Sequence, residues 1–297
     1  MAKKKKLPLK KRITEILIWL MFVVGFLIFA YPTISDQWNT YRQSRLISNY
    51  ESAMGEMSPE DFSAEWAKAE AYNKTITYND FTQDVFSGEE VSMEGTEYWS
   101  VLNIGNDGIM GYLMIPKINQ TIPIYHGTSD KVLQKAIGHL SGTSLPIGGE
   151  GTHCVVAAHR GLPSAKLFTD VDQLKEGDKF YAHILDKTFA YEVDQILPMV
   201  DKDDLDTLTG AMQIEEGKDY MTLLTCTPYG VNSHRLLIRG HQVEYFGENE
   251  KEGVTPIEST LQSVQNYYML YGILTAAVLI VLYLIIRKVV KKRKGSK

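Results

Sequence analysis

Apolar positions follow three different rules along this chain. At the two ends they run together without a period. Ile13 to Tyr31 is broken only by Thr14, Glu15 and Gly25, and Tyr267 to Ile286 carries no charge. As helices these runs of 19 and 20 residues reach about 28–30 Å at about 1.5 Å per residue, enough to cross a bilayer. A buried core helix is the alternative for each, but apolar runs of this length favour membrane spans. From about Asp36 to Ile76 the spacing is helical. Ser58-Pro59-Glu60-Asp61 is a helix start, with Ser at the cap, Pro at the first helical position and acids in the first turn. Phe62, Trp66, Ala69 and Tyr72 follow it at helical spacing.

From Thr77 to Asn106 periodicity disappears and Gly, Ser and acids accumulate. A long stretch of this kind in a compact domain is usually functional or disordered. It reads as a loop that lies over something. From Ile109 onward the pattern turns to short β runs. Ile109–Ile115, Thr121–Tyr125, Thr152–His159, Lys179–Leu185, Thr188–Leu197, Tyr220–Cys226 and Arg235–Tyr245 are the expected strands, with helical pieces at Lys131–Ile137 and Ser164–Leu174. Many short strands between Gly, Pro and Asp turns predict a mainly β domain, closed or sandwich-like.

Charge sets the topology. Lys3, Lys4, Lys5, Lys6, Lys10, Lys11 and Arg12 precede the first apolar run, and Arg287, Lys288, Lys291, Lys292, Arg293, Lys294 and Lys297 follow the second. Short basic flanks stay in the cytosol, so both termini are expected there and residues 32–266 outside. The tails hold fourteen of the 31 Lys and Arg, and Glu15 is the one acid in the tails and spans. The outward part is therefore left near −18 although the whole chain is −5. An acidic domain excludes nucleic acid as a partner. A cleaved signal peptide is the competing reading of the N-terminus, but the run is long for one and no small-x-small site follows it. No Leu-Pro-x-Thr-Gly precedes the second run, where Val254-Thr255-Pro256-Ile257-Glu258 stands instead, so the chain is expected to be retained in the membrane.

Two cysteines occur in 297 residues. Cys154 lies between apolar strand positions and reads as a small buried hydrophobe. Cys226 ends the run Met221–Cys226 and is followed by Thr227-Pro228-Tyr229-Gly230, which is turn chemistry. A disulfide between the two is the minor alternative. If the strands on either side of Thr227–His234 pair as a hairpin, Arg235 comes to lie opposite Cys226. A thiolate needs positive charge nearby, acyl transfer needs donors at the developing oxyanion, and the leaving amine needs a proton. Cys226, Arg235 and a histidine supply these three functions. Spacing alone does not choose His159 over His139, His153 or His234. Each of these residues also has a bland structural reading.

Thr222-Leu223-Leu224-Thr225-Cys226, with Arg235 after eight intervening residues, resembles the signature of the sortases, Gram-positive cysteine transpeptidases. Gly111–Pro116, Pro123–Gly127, Gly138–Gly149, Thr152–Phe168 and Cys226–Arg235 are similar to sortase sequence as well, most of all to the class C, pilin-polymerising branch. The resemblance covers about residues 60–245 and the two-anchor layout. It implies a sortase-type closed β-barrel with short helices, an N-terminal helical segment and a lid loop, flanked by two transmembrane helices. The domain layout it implies is a basic tail at 1–12, an anchor at 13–31, a helical region and lid at 32–106, and a catalytic barrel at 107–246. A linker at 247–266, a second span at 267–286 and a basic tail at 287–297 complete it.

The same resemblance implies His159, Cys226 and Arg235 as catalytic residues. Class C relatives carry an Asp-Pro-aromatic lid motif, and the matching place reads Asp84-Val85-Phe86, so Asp84 and Phe86 are expected to cover the site. The implied reaction is cleavage of a Leu-Pro-x-Thr-Gly-like signal between Thr and Gly on a pilin subunit, followed by attack of a Lys amine from the next subunit. Partners are then pilin subunits and the membrane. No cofactor is implied. The acidic run Asp201–Asp206 lacks the Gly of a calcium loop and reads as a solvated loop, so no metal is expected. Two other functions stay open: a hydrolytic cysteine peptidase, and a non-enzymatic membrane-tethered pilus scaffold.

Overall fold

The computed structural model describes residues 9–77, 84–87 and 93–247. The expected second span at 267–286, nearly all of the linker before it, the tail after it and residues 1–8 lie outside the described residues.

Helix α1 (Leu9–Gly55) is a single helix of 47 residues with Pro32 inside it, about 70 Å long at about 1.5 Å per residue. Its apolar N-terminal half is long enough to cross a membrane, and none of that window is buried against protein. Beyond it, Asn39, Gln43, Ile47 and Tyr50 recur every three or four residues and form the stripe that meets the rest of the protein. Helix α2 (Pro59–Asn73) begins where the sequence predicts. Ser58 Oγ accepts from the Asp61 amide, and the Asp61 carboxylate accepts in return from the Ser58 amide. Trp66 fixes this helix to the barrel: its indole N–H donates to Asp186 at 2.7 Å and the Lys187 ammonium lies 4.3 Å from its ring.

The stretch expected to be structureless is only partly so. After the short segment 84–87, the one-turn helix α3 (Glu97–Ser100) leads into a buried Val101 and Leu102. Tyr98 is fully engaged: its hydroxyl meets His139 Nδ1 at 2.8 Å and accepts from the Gly127 amide. A few large side chains anchor this region without any period for a sequence pattern to show.

Eight strands follow: β1 (Ile109–Ile115), β2 (Gln120–His126), β3 (Ile137–His139), β4 (Thr152–Ala157), β5 (Lys179–Ile184), β6 (Lys187–Asp201), β7 (Asp219–Thr227) and β8 (His234–Val243). They close as a barrel in the order β1-β2-β3-β4-β7-β8-β6-β5. Two pairings, β2 with β3 and β4 with β7, are parallel, and the rest are antiparallel. Strand β7 is buried along nearly its whole length. Met221 and Leu223 enter the barrel core, while Leu224 turns to a second cluster with Leu133, Val155, Leu208 and Leu237. A strand covered on both faces reads as a continuous apolar run.

Three expectations are corrected. The helical piece expected over Lys131–Ile137 ends early, as α4 (Asp130–Leu133), and gives way to β3, too short to display a period. The helix expected over Ser164–Leu174 is only a 3-10 turn at Val171–Gln173; Leu167 adopts φ +42°, which a helix cannot accommodate. Strand β6 continues past Pro198, because the register shift between Leu197 and Val200 leaves the proline out of the ladder. Helix α5 (Leu205–Ala211) follows it, capped by Asp204.

Two core histidines are held neutral. His139 Nε2–H donates to the Ser144 carbonyl and Nδ1 accepts from Tyr98; His153 Nδ1–H donates to the Gln213 carbonyl and Nε2 accepts from Thr222. Burial lowers both to about 4. Between about pH 6.5 and 4 the unfolded chain therefore binds more protons at these sites, and stability falls as pH falls, by about 3 kcal/mol for each. Asp219, raised by burial to about 6, opposes this with a gain of about 3 kcal/mol over much the same window. For these three groups the expected net loss from pH 7 to pH 4 is about 3 kcal/mol, measurable as a falling urea midpoint; a midpoint that rises on acidification contradicts the assignment.

Candidate active site

The site is built where β4 and β7 end. These strands are parallel, with Ala157 opposite Leu224. His159 and Cys226 each stand two residues beyond that pair, so they emerge at the same pole of the barrel. The continuation is hydrogen-bonded: the Ala158 amide donates to the Leu224 carbonyl at 3.2 Å, and Thr225 Oγ1 donates to the Ala158 carbonyl at 2.8 Å. Across the antiparallel seam, Cys226 is the register partner of Arg235. The hairpin expected from the sequence is thus present.

His159, Cys226 and Arg235 line one cavity of about 560 Å³. Of the four candidate histidines His159 alone lines it. His139 and His153 are buried in the core, and His234 Nδ1 pairs with Ser233 Oγ at 2.8 Å. Lys202 and Asp203 from the β6–α5 connection, Leu205 at the start of α5 and Asn232 from the β7–β8 loop complete the lining with Ser87. These were not found from the sequence. The acidic run at 201–206 reads as a solvated loop, and Asp203 is indeed largely exposed, but a bend brings this run to the cavity rim. Gly161, at φ +75°, carries the ring of Tyr229 where a Cβ would sit 3.0 Å from it. The loop after His159 and the loop after Cys226 therefore touch.

Segment 84–87 contributes Asp84, Phe86 and Ser87 to the cavity lining. The Asp84 carboxylate accepts two hydrogen bonds from Arg235, Nε at 2.7 Å and Nη2 at 2.5 Å. Arg235 Nη1 donates to the Asn232 and His234 carbonyls, at 2.9 and 2.7 Å. The guanidinium is thus anchored by one nitrogen and presents the other two, as a fork, to a planar acceptor. Phe86 lies between the flanking groups, 5.3 Å from the His159 ring and 5.1 Å from the guanidinium carbon. Val85 and Phe86 rest on the second apolar cluster beneath α5.

Burial pushes the Cys226 thiol up to about 11; Arg235 pulls it down and Asp84 adds to the rise. His159 is lowered, first by burial, with Asp130 opposing and Arg235 assisting. At neutral pH the site holds a thiol and a neutral imidazole. Arg235 itself is raised by Asp84, against its own desolvation. Cys154 is a buried core residue whose thiol is pushed far up by burial. Both cysteines are free. Cys154 pairs with Met221, which puts Cys226 five strand residues further on, about 17 Å at about 3.3 Å per residue, beyond disulfide reach. Among the described residues no group of three His, Cys, Asp or Glu side chains is arranged to hold a metal ion.

The family description "Sortase domain" matches residues 113–243. Sortase D of Bacillus subtilis is 32% identical over 136 residues, covering 45% of this chain and 63% of its own length. The chain spans less than two thirds of the first curated relatives it matches, 63% and 56%. Among solved structures, sortase C1 of Streptococcus agalactiae is 48% identical with a TM-score of 0.59, covering 68% of this chain and 100% of that one. Sortase C of Streptococcus pneumoniae, a structure concerned with catalysis and pilin substrate specificity, is 41% identical with a TM-score of 0.58, covering 68% and 97%. Full coverage of a solved sortase at this identity, on the same barrel, means that the chain belongs to the sortase family, with class C enzymes as its solved neighbours.

Proposed function

We propose that this chain is a membrane-anchored cysteine transpeptidase that joins pilin subunits. The observation that carries the reading is the convergence of Cys226, Arg235 and His159 on one cavity at the barrel pole. The pilin substrate is supported by the likeness to the pneumococcal sortase C named above. A Leu-Pro-x-Thr-Gly-like signal and a Lys acceptor are the form of substrate the family resemblance implies. Helix α1 is the anchor, and the second span with both termini in the cytosol rests on the basic flanks of the two apolar runs.

The reaction runs in two steps. Cys226 passes its proton to His159 and its sulfur attacks the Thr carbonyl of the sorting signal. Arg235 Nε and Nη2 donate to the oxyanion in the place the Asp84 carboxylate occupies in the closed state. As the Thr–Gly bond breaks, His159 returns the proton to the departing Gly amine, leaving a thioester on Cys226. In the second step a Lys amine attacks that thioester, His159 accepts its proton, and the Cys226 thiol is restored as the isopeptide bond forms. Segment 84–87 is a lid in this reading: Asp84 must leave Arg235, and Phe86 must leave the space between His159 and Arg235, before substrate enters.

The primary test is incubation of the protein with a sorting peptide, with and without a Lys-bearing acceptor. Amine-dependent ligated product is expected. Cleaved peptide alone, whatever the acceptor, would instead make the chain a hydrolase. Cys226→Ala should abolish both thioester and product, whereas Cys154→Ala should retain most activity because that thiol is a core residue; the reverse pattern would move the nucleophile.

Arg235→Lys keeps the charge, yet an ammonium cannot hold the Asn232 and His234 carbonyls and still present a planar fork. Turnover should fall about 10²–10³-fold, as for other lost oxyanion donors. A variant within about twofold of the wild type would show that charge alone matters.

Replacing Asp84 and Phe86 together by Ala removes a like charge and a cover from the thiol, and both raise its pKa. Alkylation of Cys226 by a small thiol reagent should become faster, and its pH midpoint should drop below about 11. Rates and midpoint equal to those of the wild type would end the lid assignment while leaving the catalytic one in place.

A further inference from the structure

We propose that α1 is a rigid strut that holds the barrel with the loop at 160–168, which follows His159, against the lipid surface of the membrane the helix crosses. This rests on the anchoring reading above and goes beyond it, since an anchor alone sets no orientation. The helix is continuous from Leu9 to Gly55, so no linker separates its exposed apolar half from its docked half. Docking begins at once. Ser35 Oγ donates to the Ser164 carbonyl at 3.1 Å, Asn39 Nδ2 donates to the same oxygen, and the Asp36 carboxylate accepts from the Lys166 amide at 2.9 Å. Further along, Gln43 donates to the Lys135 carbonyl at 2.8 Å. Tyr50 then donates to the Met110 carbonyl and accepts from the Leu185 amide. Ser35 to Tyr50 spans about 22 Å at about 1.5 Å per residue. Attachments spread over that length prevent the barrel from tilting about the helix.

The height follows from the same rise. Ser35 and Asp36 lie four and five residues beyond Tyr31, about 6–8 Å along the axis. That is about the thickness of one headgroup layer. The loop held there presents Pro163 and Lys166 outward. Trp38, exposed on α1, is of the residue type that sits at a membrane–water boundary. The loop is also tied to the site, because the Phe168 amide donates to the His159 carbonyl at 3.2 Å and the Gly161 amide to Thr169 Oγ1 at 3.1 Å. The cavity mouth next to His159 is thereby set near the bilayer surface. A polypeptide whose reacting segment stands just above the same bilayer meets the cavity without any search in height.

The test uses the full chain with Cys154→Ala and Cys226→Ala, in vesicles of phosphatidylcholine and phosphatidylglycerol. A nitroxide is placed in turn through Phe22→Cys, Pro163→Cys and Lys187→Cys. Collision with oxygen and with a water-soluble nickel chelate then reports depth. Position 22 should be in lipid, 163 in the headgroup layer, and 187, at the Tyr50 end of the helix, in water. Position 163 as aqueous as 187 while 22 stays in lipid would overturn the strut and leave the anchor intact; water at position 22 would overturn both. In the catalytically intact chain, Gly-Ser-Gly-Ser inserted between Thr33 and Ile34 should cut transfer from a vesicle-held substrate at least several-fold while leaving that from a soluble peptide unchanged. Equal transfer from both substrates would overturn the functional consequence of the strut.

Discussion

The parallel pairing of β4 with β7 is the constraint on which the site depends. Parallel strands in register end together, so Ala157 opposite Leu224 delivers His159 and Cys226 to the same pole. The antiparallel pairing of β7 with β8 then places Arg235 beside Cys226. A slip of one residue in either pairing would turn one of the three side chains to the wrong face. Strand β7 is protected from such a slip because both its faces are buried in different apolar clusters. The interior packing of the barrel and the placement of its proposed catalytic residues are one and the same specification.

Arg235 is the second point of leverage. It is almost fully buried, with a side-chain exposure of 3%, and a buried cation needs a partner. Two backbone carbonyls satisfy part of it and the Asp84 carboxylate the rest. The same two outward nitrogens are those the proposed reaction requires. Closure and catalysis therefore compete for one set of donors, and the closed form raises the thiol pKa while it holds them. In the proposed reaction, Cys226 therefore stays protonated until segment 84–87 is displaced.

The N-terminal third supplies the frame for this arrangement. Helix α1 fastens to the loop at 160–168 at one end of the barrel and, through Tyr50, to Met110 of β1 and Leu185 after β5 at the other, and α2 is pinned by Trp66 and by Glu65, which accepts from the Leu102 amide at 2.6 Å. The second apolar cluster, beneath α5, seats Val85 and Phe86. Valine at position 85 thus contributes apolar contact to this cluster.

Much of this was written locally. The apolar run from Ile13, the Ser58 capping box, the β runs and the Cys226–Arg235 hairpin all rest on contacts between near neighbours, which periodicity and turn chemistry report. Strand β3 and the extension of β6 beyond Pro198 did not show, because a three-residue strand has no period and a bulge defeats the rule against proline. The choice of His159 over His139, His153 and His234 by residue type and spacing was open as well; family resemblance pointed to it, and the β4–β7 register brought it to the cavity. Lys202, Asp203 and Asn232 entered the cavity lining for a related reason: loops far apart in sequence meet at one barrel pole. What the sequence determined alone was composition, local elements and the chemistry on offer. Which groups face one another was decided by the closed barrel, because that depends on strand register between segments some 70 residues apart, as with Ala157 and Leu224.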